Sequence, residues 1–133
     1  TTVESREGAP VTTRRILVAD DNQQIRMLVS AALRSLGHEI TQAVDGENAL
    51  DTAIAEQPDL VLLDVTMPKL DGFEVLRFLR KRPETAAVKV IMLTTAAQDT
   101  DLELGAKLGC DDYVTKPFDP KTLRETVVRV LGE

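Results

Sequence analysis

From Arg14 onward the chain alternates short apolar runs with stretches whose apolar residues recur at helical spacing. Ile16-Leu17-Val18-Ala19 has strand length and stops at Asp20-Asp21-Asn22. Ile25, Leu28, Val29, Ala32, Leu33 and Leu36 then fall at i, i+3, i+4, i+7, i+8 and i+11, one face of a helix, and Gly37 follows where that helix would end. Ile40 to Val44 predict a second strand, and Asp45-Gly46 turns the chain into a helix that packs Ala49, Leu50, Ala53 and Ile54. Pro58 breaks that helix, and Leu60-Val61-Leu62-Leu63 is a third strand ending in Asp64. After the loop 65–72 comes a helix carrying Val75, Leu76 and Leu79. Val88 to Leu93 predict a fourth strand, apolar on both faces except at Lys89. The next helix, about 98–108, is poorly specified: its apolar stripe is small, and Gly105 in mid-helix costs roughly 1 kcal/mol relative to Ala. Tyr113-Val114 predicts a brief fifth strand. Asp119-Pro120 then supplies a cap and a first-turn proline for a last helix with Leu123, Val127, Val130 and Leu131 inward.

Strands alternating with helices imply a parallel sheet with helices on both faces, an α/β architecture. Residues 1–13 show no apolar periodicity and contain Gly8 and Pro10, so they are expected to form a flexible N-terminal tail ahead of one domain at 14–133.

Composition narrows the function. The 133 residues, at 14.6 kDa and 43% hydrophobic, suit a single domain with a sizeable core. No apolar run approaches the length of a membrane span, and no signal peptide opens the chain. The net charge of −6, the lack of a basic stripe and only four aromatics (Phe73, Phe78, Tyr113, Phe118) argue against direct nucleic-acid binding. One cysteine, Cys110, excludes an internal disulfide and suits the cytoplasm; with His38 as the one histidine, the usual zinc clusters are excluded too.

Parallel α/β sheets bind ligands outside the carboxyl ends of their strands. Here the first strand ends in Asp20 and Asp21, the third in Asp64 and the fourth in Thr94, while the fifth runs into Lys116. Three crowded carboxylates would force one to protonate unless a cation joined them, and oxygen-only ligands favour a hard divalent ion, best Mg²⁺. Lys116 adds a point charge for an anion on that metal, which describes a phosphoryl site. Each residue also has an ordinary reading. Asp20, Asp21 or Asn22 can equally cap the following helix, a threonine after a strand is commonplace, and a single lysine is usually a solvated charge. Asp64 is harder to set aside, because it closes an apolar run where a buried carboxylate is costly.

These residues lie in segments that resemble the receiver domain of bacterial two-component response regulators. The matching pieces are Val18-Ala19-Asp20-Asp21-Asn22, the run from Leu62 through Asp64-Val65-Thr66-Met67-Pro68-Lys69 to Gly72, Val90-Ile91-Met92-Leu93-Thr94, and Gly109 to Phe118 with Lys116-Pro117. The resemblance covers about residues 14–131, and its four motifs fall in the family's order and spacing. It implies a flavodoxin-like, doubly wound (βα)5 fold with strand order 2-1-3-4-5. It also implies that Asp64 accepts a phosphoryl group from a sensor histidine kinase or histidine phosphotransfer protein, without turnover of an external substrate but with autophosphatase activity. On the same resemblance Asp20, Asp21, Asp64 and the Thr66 carbonyl hold Mg²⁺, Lys116 neutralises a phosphoryl oxygen beside a cis Lys116-Pro117 peptide, and Thr94 donates its hydroxyl to another. Tyr113 is then the switch aromatic, turning inward as Thr94 moves.

The physics agrees with that division of roles. A phosphoryl group adds about −1.5 to −2 charges, tolerable beside three carboxylates only with Mg²⁺ and Lys116 present. Thr94 gains a strong acceptor only in the modified state, the differential contact a switch requires. The weak helix at 98–108 is the expected site of rearrangement, so that helix, the Tyr113 strand and the last helix form the expected output surface. Thr95 stands where the family more often has Ala and crowds access to the phosphoryl group. Thr66 and Ala96 offer no amide or carboxylate to position water, which implies a long-lived phosphoryl group. His38 reads as a surface residue at a turn, Cys110 as a small packed residue, and Met67 and Pro68 as shaping the loop.

Three rivals share parts of this pattern. A flavin-binding flavodoxin needs a Ser/Thr/Gly-rich phosphate loop where Asp20-Asp21-Asn22 stands. A haloacid-dehalogenase-like phosphatase needs an acid at position 66, here Thr66. The third rival is a receiver-like binding module independent of phosphorylation, and the complete acidic set opposes it. The partner downstream, an attached output domain and a phosphorylation-dependent dimer stay open, as does whether the chain stands alone or was excised from a larger response regulator or hybrid kinase.

Overall fold

The computed structural model describes residues 2–4, 10–95 and 99–132. The main sheet has five strands: β1 (Arg15–Ala19), β2 (Glu39–Ala43), β3 (Leu60–Asp64), β4 (Lys89–Thr94) and β5 (Asp112–Thr115). They alternate with helices α1 (Gln23–Arg34), α2 (Gly46–Glu56), α3 (Gly72–Lys81), α4 (Asp99–Leu108) and α5 (Pro120–Leu131). All neighbouring strands are parallel, in the order β2-β1-β3-β4-β5, as the resemblance implies. Ahead of the sheet Thr2–Glu4 and Pro10–Thr12 pair antiparallel; positions 1 and 5–9 of the expected tail lie outside the described residues.

The central strands are buried on both faces, so alternate residues feed two cores. Leu17, Ala19, Val61, Leu63, Val90 and Met92 meet Ala49 and Ala53 of α2 and Val75, Leu76 and Leu79 of α3. Ile16, Val18, Leu60, Leu62, Ile91 and Leu93 meet Val29 and Leu33 of α1 and Leu123 and Val127 of α5.

Side-chain caps set the helix starts. Asn22 Oδ1 accepts from the N–H groups of Gln24 (2.9 Å) and Ile25 (3.2 Å), which resolves the ambiguity among the first three polar residues: Asn22 caps α1. Asp45 caps α2, Asp71 and Glu74 form a reciprocal capping box on α3, and Asp119 caps α5 with Pro120 in its first turn.

Four positions differ from the pattern reading. Leu28 is 41% exposed, because α1 turns Val29, Ser30, Ala32 and Leu33 inward instead. Val44 falls outside β2 and is 49% exposed. Thr126 joins Leu123 and Val127 as a buried residue of α5, its hydroxyl donating to Thr122 O at 3.0 Å, while Val130 and Leu131 are partly buried. His38 is buried rather than at the surface: its Nδ1 accepts the Arg14 N–H at 3.1 Å, a contact 24 residues apart that no local pattern carries.

Candidate functional site

Register decides which polar residues meet. Ala19 lies level with Ala43 and Leu63, Asp64 with Leu93, and Thr94 with Thr115. Asp20, Asp64, Thr94 and Lys116 therefore stand at one edge of the sheet, at or just past the ends of β1, β3, β4 and β5.

Asp20 is fully buried. Its N–H donates to Ala43 O (3.2 Å), its Oδ1 accepts from Asn22 N–H (2.9 Å), and its Oδ2 accepts from Lys116 Nζ (2.6 Å). Asp64 is also buried; its Oδ1 lies 3.3 Å from Lys116 Nζ and accepts the Thr66 N–H at 3.3 Å. Asp21 is exposed, yet the carboxylates of Asp20, Asp21 and Asp64 each place an oxygen within 4.8 Å of the others.

Burial pushes the Asp64 carboxyl up to about 6, the Asp20 charge adds to the rise, and Lys116 and the Thr66 N–H act against it. One ammonium group does not balance three carboxylates at this distance. The donor set is all oxygen, two of its carboxylates are held by backbone N–H groups, and the third reaches solvent, which fits a partly hydrated Mg²⁺. Such an ion would offset both the burial and the Asp20 charge that raise the Asp64 pKa.

Thr94 is buried, and its carbonyl accepts the Lys116 N–H at 2.6 Å, tying β4 to the lysine. The Lys116-Pro117 peptide is cis. Tyr113 is half-buried on the α4 side of the sheet, its hydroxyl donating to Leu102 O at 3.3 Å. The Thr66 and Thr95 side chains are exposed, while Met67 is buried in the core beneath the loop that Pro68 enters. Ala96 lies outside the described residues, as does position 98 of the expected helix.

Two contributors escaped the reading of the sequence. Arg26 of α1 donates to Asp20 O (2.7 Å) and Gln42 Oε1 (3.1 Å), bracing the end of β1 against β2. Gly72 opens α3 so close to β3 that a Cβ would overlap the Asp64 carbonyl and come within 3.0 Å of Val65 Cα. A glycine directly inside a helix whose Asp71–Glu74 box already sets its start was the readable signal; nothing local marks Arg26.

A family model described as "Response regulator receiver domain" matches residues 16–128. The chain is 42% identical over 118 residues to the protein PilH of Pseudomonas aeruginosa, covering 89% of this chain and 98% of that protein. It is also 42% identical over 118 residues to the alkaline phosphatase synthesis transcriptional regulatory protein PhoP of Bacillus subtilis, covering 89% of this chain but 48% of PhoP. The chain thus spans about half the length of several curated relatives it matches. Among solved structures, the receiver domain of sensor histidine kinase PA1611 from Pseudomonas aeruginosa, with a magnesium ion coordinated in its active site cleft, superposes with a TM-score of 0.83 at 33% identity, covering 92% of this chain and all of that one.

Proposed function

The chain belongs to the response regulator receiver domain family of two-component signalling, and from that premise we propose that Asp64 is its phosphoacceptor in a Mg²⁺-dependent switch. The observation that carries this reading is the meeting of three carboxylates within 4.8 Å, with Lys116 Nζ 3.3 Å from Asp64, at the carboxyl edge of the sheet.

An Asp64 carboxylate oxygen attacks the phosphorus of a phosphohistidine on a sensor histidine kinase or phosphotransfer protein. The P–N bond breaks, its electron pair stays on the imidazole, and an aspartyl phosphate remains. Asp20, Asp21, Asp64 and the Thr66 carbonyl would hold Mg²⁺, which supplies charge neutralisation at the phosphoryl oxygens. Lys116 leaves its carboxylate partners for a phosphoryl oxygen, and the Thr94 hydroxyl donates to another. Buried charge-assisted bonds of this kind supply the several kcal/mol that a switch needs, about 5.5 kcal/mol for a 1:99 to 99:1 change. Tyr113 follows Thr94, and the surface of α4, β5 and α5 changes.

That surface serves a downstream protein, an attached output domain or a second copy of the chain, in the cytoplasm. Residues 14–133 act as the signalling unit, with 1–13 preceding it as an appendage. The half-length match to PhoP supports an attached output domain, and the full-length match to PilH supports a stand-alone regulator. Because neither Thr66 nor Ala96 offers an amide or carboxylate to orient an attacking water, autophosphatase activity is slow and the phosphoryl group long-lived; an unchanged decay rate in Ala96→Glu would contradict this.

Intact-mass spectrometry after incubation with acetyl phosphate, with and without Mg²⁺, tests the function. The expected result is a single Mg²⁺-dependent phosphoryl adduct that Asp64→Ala abolishes. No adduct in either condition would leave a receiver-like binding module independent of phosphorylation.

A further inference from the structure

Gly105 is the glycine that should weaken α4, yet it is buried and something specific lies against it. A Cβ at that position would overlap the Tyr113 hydroxyl, approach Tyr113 Cζ to 2.6 Å and lie 3.1 Å from Cys110 Sγ. The Tyr113 hydroxyl meanwhile donates to Leu102 O of the preceding helical turn, and the Cys110 thiol borders the same space. Leu102 and Gly105 of α4, with Cys110 just beyond the end of that helix, thus form a notch that takes the tip of the tyrosine.

We propose that this notch is the resting seat of Tyr113 and that Gly105 is a positioning residue, its missing side chain setting the balance between the seated and the inward-turned tyrosine. The proposal rests on Tyr113 being the switch aromatic. Its direction follows from Lys116, which here bonds Asp20 and Asp64 directly, the arrangement a phosphoryl group replaces. One ring cannot occupy the notch and turn inward toward Thr94 together, so every contact in the notch opposes activation. Any side chain at position 105 removes that opposition.

Two measurements on the full chain test this. The first is a thermal-denaturation cycle. Gly→Ala within a helix ordinarily raises the melting temperature, because alanine is the better helix former. Gly105→Ala is expected to lower it while Tyr113 is present and to raise it in a Tyr113→Ala background, where the notch is empty. The second uses the one cysteine as a reporter of the seat. Intact mass after acetyl phosphate, Mg²⁺ and a brief iodoacetamide pulse reads phosphorylation and Cys110 alkylation on the same molecules. In the parent protein the phosphorylated molecules should alkylate about tenfold faster than the others, a tenfold shift in the seated-to-released ratio. In Gly105→Ala both populations should alkylate at the fast rate. A rise in melting temperature in both backgrounds, or an alkylation rate indifferent to Gly105→Ala, overturns the notch. Absence of a phosphoryl adduct instead overturns the switch and leaves the denaturation cycle to decide the seat separately.

Discussion

Helices α3 and α4 are neighbours in the fold, yet they are held by different means. α3 begins in a reciprocal capping box, with Glu74 N–H on Asp71 Oδ1 at 2.9 Å and Asp71 N–H on Glu74 Oε1 at 3.1 Å. It buries Val75, Leu76 and Leu79 completely. Its last turn carries Arg80, which donates to Gly109 O (2.7 Å), Val88 O (2.6 Å) and Ala86 O (3.2 Å). Along the part of α4 whose side chains are described, 102–108, Gly105 is buried, Leu102 and Leu108 are half-buried, and Leu104 is 38% exposed. So α3, which abuts the strand bearing Asp64, is locked by interlocking hydrogen bonds and a full apolar face. α4 is anchored at its carboxyl end by Arg80 on Gly109 and along its length by the tip of Tyr113. A receiver needs both: a fixed acceptor, and an element whose position a few contacts decide.

Breaking the fixed side at its chemical centre has the largest effect. Asp64→Ala is expected to abolish the phosphoryl adduct altogether, read by intact mass. Lys116→Met keeps Asp64 but removes the cation that opposes Asp20 and would meet the phosphoryl oxygens. The rate of adduct formation should fall about a hundredfold, the loss typical of one buried electrostatic contact at a transition state. A rate within twofold of the parent would mean that Lys116 serves only the resting ion pair.

Arg80→Ala cuts the tie between α3 and the end of α4. It leaves the carbonyls of Gly109 and Val88 without a charged donor, so urea denaturation should show a loss of about 2–3 kcal/mol. Mg²⁺-dependent phosphorylation should survive in the folded fraction. Its loss would show that the two helices are one mechanical unit.

Asp64 also leaves a signature on stability. Its folded pKa, about 6, lies above the ordinary 3.8, so its contribution is fully present below pH 4 and is lost as pH rises through 6. In EDTA, the stability of Asp64→Asn minus that of the parent should therefore grow over that window. The rise should be about 1–2 kcal/mol, reduced from the full shift by solvent screening at the site mouth. Mg²⁺ at pH 7 should recover the loss in the parent and do much less for Asp64→Asn. A difference that is flat with pH would mean that Asp64 is better solvated than its burial implies. The smallest effect belongs to the exposed side of α4: Leu104→Gln should change stability by less than about 0.5 kcal/mol.

Five strands, five helices and their alternation were readable because each strand of the sheet's centre is buried on both faces and each helix shows one apolar stripe. The acidic edge was readable for the same reason, since a polar residue directly after an apolar run must stand at the strand's end. Where the pattern misled, long-range neighbours decided. Leu28 satisfies the helical period of α1 but stays exposed, whereas Ser30 is buried. His38 lies in a turn by its surroundings in the chain, but the strand entering from Arg14 covers it.

By itself the sequence determined a parallel α/β domain, its strand ends, and the residues available for phosphoryl and Mg²⁺ chemistry, because period and residue type are local properties. Only the tertiary structure decided that Asn22 rather than Asp20 caps α1, that Lys116 reaches both Asp20 and Asp64 across 96 and 52 positions of chain, and that Arg26 braces the Asp20 backbone carbonyl. It also decided the meaning of Gly72 and Gly105. Each is a penalty when read along the helix and a required gap when the strand or tyrosine packed against it is in view. Distances between residues far apart in the chain come from sheet register and helix packing, and no window along the sequence contains them.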